Sequence, residues 1–255
     1  MSDPISTKTL SDTQQLLARG AIYRALSILL RHPSFMNDKA FLEEEMIAWQ
    51  QAFEILEISN KEKLEKLMGL IVCRLKKISR KEWVYQYESN FGHTVQSLVP
   101  SYELEYGEEH SHRQPQQLGD IAAFYQAFGL KSSGQIHERV DHVAVECEFM
   151  QYLIFKELYA LQHNNNENIL ICQQAAVNFL SNHLGHWLPS FAFRLAKASG
   201  EDLFKYIADF ALYFIVEDCR KLGIEVGPNN LPLRAVNEKI DAGCVSCSLN
   251  PENQH

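Results

Sequence analysis

The first prediction from this sequence is an all-α fold, a single compact domain of about eight to ten helices. Apolar residues recur every three or four positions through most of the 255 residues, and the strict apolar–polar alternation typical of strands is almost absent. Gly and Pro concentrate between these periodic segments or after the last of them. With 46% hydrophobic and 22% charged residues, the chain has an ordinary globular composition and enough length to bury a sizeable core.

The first predicted helix starts at Ser11, where a Ser-Asp pair is typical of a helix N-terminus, and stops before Pro33. Its apolar side chains fall largely along one stripe. Similar periodicity predicts further helices over 38–58, 61–78, 80–91, 117–129, 141–163, 167–184 and 201–222. No repeat or polar linker divides them, so we assign residues 1–222 to one helical domain.

Two segments depart from the helical pattern. Residues 92–117 contain two Pro, three His and four Glu, which predicts a long acidic surface loop with one short helical turn. Residues 223–255 hold several Gly and Pro and cannot continue a helix. We expect this C-terminal tail to be extended or flexible.

The charge balance limits the classes of partner. With 24 Lys and Arg against 32 Asp and Glu, the net charge of −8 disfavours nucleic acid and favours a cationic peptide or protein segment. The N-terminus lacks the basic start and apolar core of a secretory signal, and no apolar run approaches the roughly 20 residues of a membrane span. We therefore expect a cytoplasmic protein with no membrane insertion, in which the six Cys are reduced thiols.

The stretch "ERVDHVAVECEFM" holds the densest group of ionisable residues. Asp141 precedes a strong helical pattern and is predicted to cap it. His142 and Glu146, one helical turn apart, could present two metal ligands or form an ordinary pair. No second helix supplies the further ligands that a bundle metal site needs, so no metal or other cofactor is predicted.

Cys244 and Cys247 form one C-x-x-C in the tail, which is half of a structural zinc site. A redox role, a metal shared with another protein, and no function all remain open for this pair.

The aromatic residues suggest either core packing or a binding groove. Trp83, Tyr87 and Phe91 recur at helical spacing, and core packing is the default explanation for most such residues. Beside an acidic loop, the same residues could form the apolar walls of a peptide groove. The carboxylates of that loop would then meet the basic end of the peptide; they are Glu103, Glu105, Glu108 and Glu109.

Four motifs occur in an order and spacing similar to those of a known family. They are "YESNF" from Tyr87, "PSYELEY" from Pro100, "LGDIAAFYQAFGL" from Leu118 and "ERVDHVAVECEFM" from Glu138. Over roughly residues 15–220 the sequence resembles the TorD/DmsD/NarJ-like redox-enzyme maturation chaperones. The motif sequences are most similar to those of the branch that serves molybdoenzymes of the dimethyl sulfide, ethylbenzene, selenate or chlorate type.

This resemblance implies an all-helical chaperone that is not an enzyme. Its partners would be the catalytic subunit of a molybdopterin-dependent oxidoreductase and the twin-arginine signal peptide of that subunit, held in the cytoplasm for cofactor insertion before export. Some family members also associate with guanine nucleotide, but this sequence has no P-loop. The chaperone would be a monomer, or a dimer swapped through residues 130–141.

Carried over by motif, the resemblance implies a set of partner-binding residues: Glu138, Asp141, His142, Tyr87, Phe91, Pro100, Tyr102, Glu103 and Tyr106. Two positions depart from the family pattern. Val140 stands where the family usually has Pro, and Cys147 replaces the usual Leu. The alternative to this function is a helical metal-binding or redox protein that uses His142 with Glu146, or Cys244 with Cys247.

Overall fold

A computed structural model describes residues 4–36, 38–92, 97–107, 114–131 and 138–234, with side chains from Ser11 onward. In these ranges the chain forms nine α-helices and no strand, which confirms the all-α prediction. The helices are α1 (Pro4–Leu29), α2 (Lys39–Ile55), α3 (Lys61–Lys77), α4 (Arg80–Phe91), α5 (Gln114–Ala127), α6 (Val143–Gln162), α7 (Asn166–Asn182), α8 (Leu184–Ala198) and α9 (Leu203–Lys221).

Short polar side chains begin four of these helices by accepting hydrogen bonds from backbone N–H groups of the first turn. Asp38 caps α2, Ser79 caps α4, Asn165 caps α7 and Asp202 caps α9. Each cap satisfies donors that have no partner inside the helix. These local signals explain why most helix starts are readable from the sequence.

Two helix assignments from the sequence were incorrect. The first helix begins at Pro4 rather than Ser11, because a Ser-Asp pair is also tolerated inside an exposed helix. The predicted 167–184 helix ends at Asn182, and α8 follows it directly where no separate helix was predicted. His183 interrupts the two with φ −127° and ψ −104°, which is not helical.

A proline inside α8 creates a docking point for the C-terminal segment. Pro189 has no N–H to donate to the carbonyl of Gly185, one turn earlier. That carbonyl instead accepts a hydrogen bond from Gly227 N at 3.0 Å. Residues 223–234 therefore run along α8 without forming a helix, and hydrogen bonds to Gly185 and Ser190 hold them there. The assignment of residues 223–255 to an extended or flexible tail stays a prediction.

The helices position the candidate site by packing α6 between α1 and α7. Helix α1 faces α6 at Gly20, where an added Cβ would lie 3.4 Å from both Ile154 and Phe155. A buried ion pair ties α1 to α9, where Arg19 Nε and Asp218 Oδ1 are 2.7 Å apart. Among the described helices, none combines the length and apolar character that crossing a bilayer requires.

Candidate functional site

The segment 97–107 was predicted to be a surface loop, but the structure places much of it inside the fold. Val99, Pro100, Ser101 and the 3₁₀ turn Glu103–Glu105 include mostly buried residues. The segment pairs with the start of α6, since Glu103 N donates to Asp141 O and Val143 N donates to Ser101 O, both at 2.9 Å. Two motifs that are distant in sequence thus meet through their backbones.

Asp141 has a different role from the predicted helix cap. Its side chain is fully buried, and Oδ2 accepts a hydrogen bond from Leu104 N at 3.2 Å. The cap of α6 is His142, whose Nδ1 accepts from Ala144 N at 3.1 Å. The prediction that Asp141 caps the helix is therefore wrong, because interior donors use the carboxylate.

Arg139 is the residue that sequence reasoning missed. Its guanidinium donates to Asp141 Oδ1 at 2.8 Å and Oδ2 at 2.6 Å, and to Glu105 Oε1 at 3.2 Å. The same guanidinium lies 4.5 Å from the centre of the Tyr102 ring. Arg139 therefore ties the loop motif to the Glu138–His142 motif by ion pairs and a cation–π contact. Its position between two motif acids was the available signal.

His142 is buried and held in one tautomer. Its side chain is 2% exposed, and its ring packs edge-on against Tyr102 with 5.2 Å between centroids. Because Nδ1 accepts a backbone hydrogen bond, the neutral ring carries its proton on Nε2. Burial lowers the pKa of His142 to about 3, assisted by the positive charges of Arg31 and Arg139.

This histidine should make stability depend on pH. The unfolded imidazole has a pKa near 6.5, so acid protonates the unfolded chain first. Stability from His142 is complete above about pH 6.5 and falls as the pH drops toward the folded pKa, with a loss of about 2 kcal/mol at pH 5. We expect His142→Asn, which keeps a capping acceptor but cannot titrate, to lose less stability between pH 7 and pH 5. Urea unfolding at both pH values measures this, and equal losses in both proteins would contradict it.

Glu103 belongs to a second buried polar group, with α6 and α8. The Glu146 carboxyl is fully buried, and Trp187 Nε1 donates to its Oε2 at 2.9 Å. Burial, as the leading cause, and the neighbouring Glu103 raise the pKa of Glu146 well above its usual value. His183 Nδ1 lies 3.1 Å from Glu103 Oε1. Glu103 is therefore occupied within the fold.

The remaining predicted residues support this region from beneath. Tyr87 and Phe91 are buried in the core, and their rings meet in a tilted contact with 4.5 Å between centroids. Tyr106 is also buried, and its hydroxyl donates to the carbonyl of Pro100 at 2.8 Å. Because these side chains are buried, in this conformation they can affect a partner only by positioning other residues of the site.

An open cleft adjoins the site between α5 and α6. Its volume is about 350 Å³, and the hydroxyls of Tyr125 and Tyr152 fix its walls by donating to Val140 O and Phe128 O, both at 2.8 Å. Most of the lining is apolar or aromatic, with two acids and two bases at the margins. The lining residues are Arg31, Ala122, Tyr125, Gln126, Leu130, Lys131, Glu138, Val140, Val145, Glu148, Phe149 and Tyr152.

Glu138 is the predicted site residue that lines this cleft. Its side chain is 18% exposed, and across the described residues no Lys or Arg nitrogen lies within 4 Å of it. The ionisable side chain within this distance is His142, whose Nε2 lies 3.9 Å from Glu138 Oε2. This imidazole is neutral because burial lowers its pKa. Burial, the negative charge of Glu138 and a hydrogen bond to that carboxylate raise the pKa of Tyr102 to about 12. By contrast, Glu148 on the opposite margin is paired with Arg31 at 2.5 Å.

The metal-binding alternative gains no support from this geometry. His142 Nδ1 and Glu146 Oε2 are engaged by Ala144 N and Trp187 Nε1. Over the ranges that the structure covers, no three His, Cys, Asp or Glu side chains gather as a metal site. Cys244 and Cys247 lie outside the described residues, as do Glu108, Glu109 and residues 132–137 of the proposed 130–141 swap hinge.

Comparisons with known proteins bear on the family. The profile of the family described as "Nitrate reductase delta subunit" matches residues 59–192. The perchlorate reductase assembly chaperone protein of Dechloromonas aromatica is 29% identical over 207 residues, which are 78% of this chain and 87% of that protein. The chlorate reductase assembly chaperone protein of Ideonella dechloratans is 35% identical over 78 residues, 31% of this chain and 39% of that protein.

The chaperone protein TorD of Vibrio cholerae is 33% identical over 92 residues, which are 36% of this chain. This match spans about 40% of the length of TorD. The family profile covers more than half of the chain and includes the loop motif, the start of α6 and every lining residue of the cleft except Arg31. The chain therefore belongs to the nitrate reductase delta subunit family, the TorD/NarJ-like group that its motifs predicted.

Proposed function

We propose that this protein is a non-enzymatic, cytoplasmic maturation chaperone for the catalytic subunit of an exported molybdoenzyme. It would bind the twin-arginine signal peptide of that subunit and hold the subunit until molybdenum cofactor is inserted. Relatives named as assembly chaperones of perchlorate, chlorate and selenate reductases support this class of client.

The observation that carries the proposal is the environment of Glu138. A carboxylate with no cationic partner in the described structure lies at the margin of an aromatic-walled cleft. Such a site suits a segment with a positive charge next to apolar residues, because the carboxylate attracts the cation and the walls accept the apolar part. Adjacent arginines followed by an apolar run have this composition.

The other motif residues receive supporting roles in this proposal. Tyr102 touches both Glu138 and Arg139 and is half-buried, so it can contact a bound arginine beside Glu138. Asp141 and His142 fix the backbone from which Glu138 projects. Tyr87, Phe91, Pro100, Glu103 and Tyr106 support that arrangement from the interior.

Glu138→Gln should weaken binding of a twin-arginine peptide about tenfold, a loss of about 1.4 kcal/mol, because it removes the charge and keeps the side-chain size. Calorimetric titration with a twin-arginine signal peptide from a molybdoenzyme subunit measures this. The same peptide with both arginines changed to alanine should bind the wild type and Glu138→Gln equally.

Glu44→Gln is the matched control, since Glu44 is an exposed acid on α2 away from the cleft. It removes the same charge and should leave both affinities unchanged. A wild type that binds the two peptides equally would overturn the proposal that the arginines are recognised at Glu138.

A further inference from the structure

An exposed aromatic stripe continues the cleft wall along the outside of α6. Tyr152 lines the cleft, and beyond it Phe155 and Tyr159 are 45% and 62% exposed. Spacings of three and four residues place these three side chains on one face of the helix. The apolar surface of the cleft therefore does not end at the cleft mouth.

The neighbouring helix α1 widens this stripe into a seam. Phe155 lies against α1 at Gly20, where an added Cβ would be 3.4 Å from the ring. Leu17, one turn before Gly20 on the same side of α1, is 50% exposed. Singly exposed apolar residues are ordinary, but several along one seam that adjoins a cleft form a continuous patch.

We infer that this stripe binds the apolar stretch of the client segment whose basic end lies at Glu138. The inference rests on the proposed function and deepens it by assigning the surface that the bound segment follows and the direction in which the segment lies. Glu138 lies near the start of α6, at one end of the combined surface, and Phe155 and Tyr159 lie toward the other. A segment with cations at one end and apolar residues after them matches this arrangement in only one direction.

The length of the stripe sets a requirement on the segment. From Glu148, at the cleft margin, to Tyr159 the helix rises about 16 Å at 1.5 Å per residue. About five residues of extended peptide, or about eleven of helix, cover that distance. The apolar stretch must therefore continue for at least about five residues beyond the point where the segment passes Glu148 to reach Tyr159.

The test combines Phe155→Ser with Tyr159→Ser and uses two synthetic peptides. One peptide carries the twin arginines and the full apolar stretch, and the other ends two residues after the arginines. The stripe variant should bind the long peptide about tenfold more weakly and the short peptide as the wild type does. Ile47→Ser with Tyr85→Ser is the matched control, because these residues on α2 and α4 are 56% and 65% exposed.

Unchanged far-UV circular dichroism and melting temperature would show that the stripe variant remains folded. If it then binds the long peptide as tightly as the wild type, the inference is overturned, and a surviving effect of Glu138→Gln leaves the proposed function intact. A wild type that binds neither peptide overturns both. A stripe variant that changes from dimer to monomer with unchanged peptide affinity would identify a self-association surface and also overturn the inference.

Discussion

Asp141→Ala is expected to lower the free energy of unfolding by about 3 kcal/mol, because it leaves a buried ion pair without one partner. The carboxylate is fully buried and receives both Arg139 and the backbone N–H of Leu104. Removing it leaves the guanidinium facing Glu105 alone and the amide with no acceptor. The 97–107 segment would keep its two backbone hydrogen bonds to the start of α6 and lose the side-chain acceptor that joins Leu104 N to Arg139.

Urea unfolding followed by circular dichroism measures this loss. Asp141→Asn is the matched control, since it keeps the volume and an acceptor for Leu104 N but removes the charge, and it should lose roughly half as much. Stability within about 0.5 kcal/mol of wild type for Asp141→Ala would contradict a structural role. Peptide binding by these variants is interpretable only where unfolding curves show them to be folded, because a loss of binding could follow from movement of Glu138.

The helices could be predicted from the sequence because their signals are local. Apolar periodicity and caps such as Asp38, Ser79 and Asp202 depend on residues within one or two turns. The segment containing α8 lacks this consistency, since Gly185 and Pro189 both argue against a helix. Its stability depends on Gly227, whose N–H replaces the hydrogen bond that Pro189 cannot make. That compensation is distant in sequence and is not visible in local pattern.

The site was predictable as a set of residues but not as an arrangement. The motifs brought Tyr102, Glu138, Asp141 and His142 into consideration, and the structure places them together. Which acid remains accessible depends on distant partners: Glu105 and Asp141 share Arg139, whereas Glu138 has no described cation partner. The loop acids were predicted to face outward, yet the two that the structure describes, Glu103 and Glu105, are paired with His183 and Arg139 within the fold.

Gly227→Ala is expected to release the C-terminal segment from α8, with a loss of about 3 kcal/mol in unfolding free energy. A Cβ at this position would lie 1.9 Å from the carbonyl oxygen of His186, and backbone atoms cannot move aside as a flexible side chain can. The bond from Gly227 N to Gly185 O would break, and with it the hydrogen bonds that Ser190 makes to Pro228 O and Leu231 N.

Urea unfolding gives the stability change, and hydrogen exchange at the amides of Gly227 and Leu231 locates it. Gly69→Ala is the control, because Gly69 lies inside α3 with nothing within 4 Å of an added Cβ. There the same substitution should raise stability by about 0.5–1 kcal/mol through better helix propensity. Slow exchange at Gly227 and Leu231 in Gly227→Ala would mean that the segment tolerates the clash. If these amides exchange faster in Gly227→Ala than in the wild type, as expected, residues 223–234 are held in place in the wild-type fold. A deletion that tests Cys244 and Cys247 should then start after Arg234.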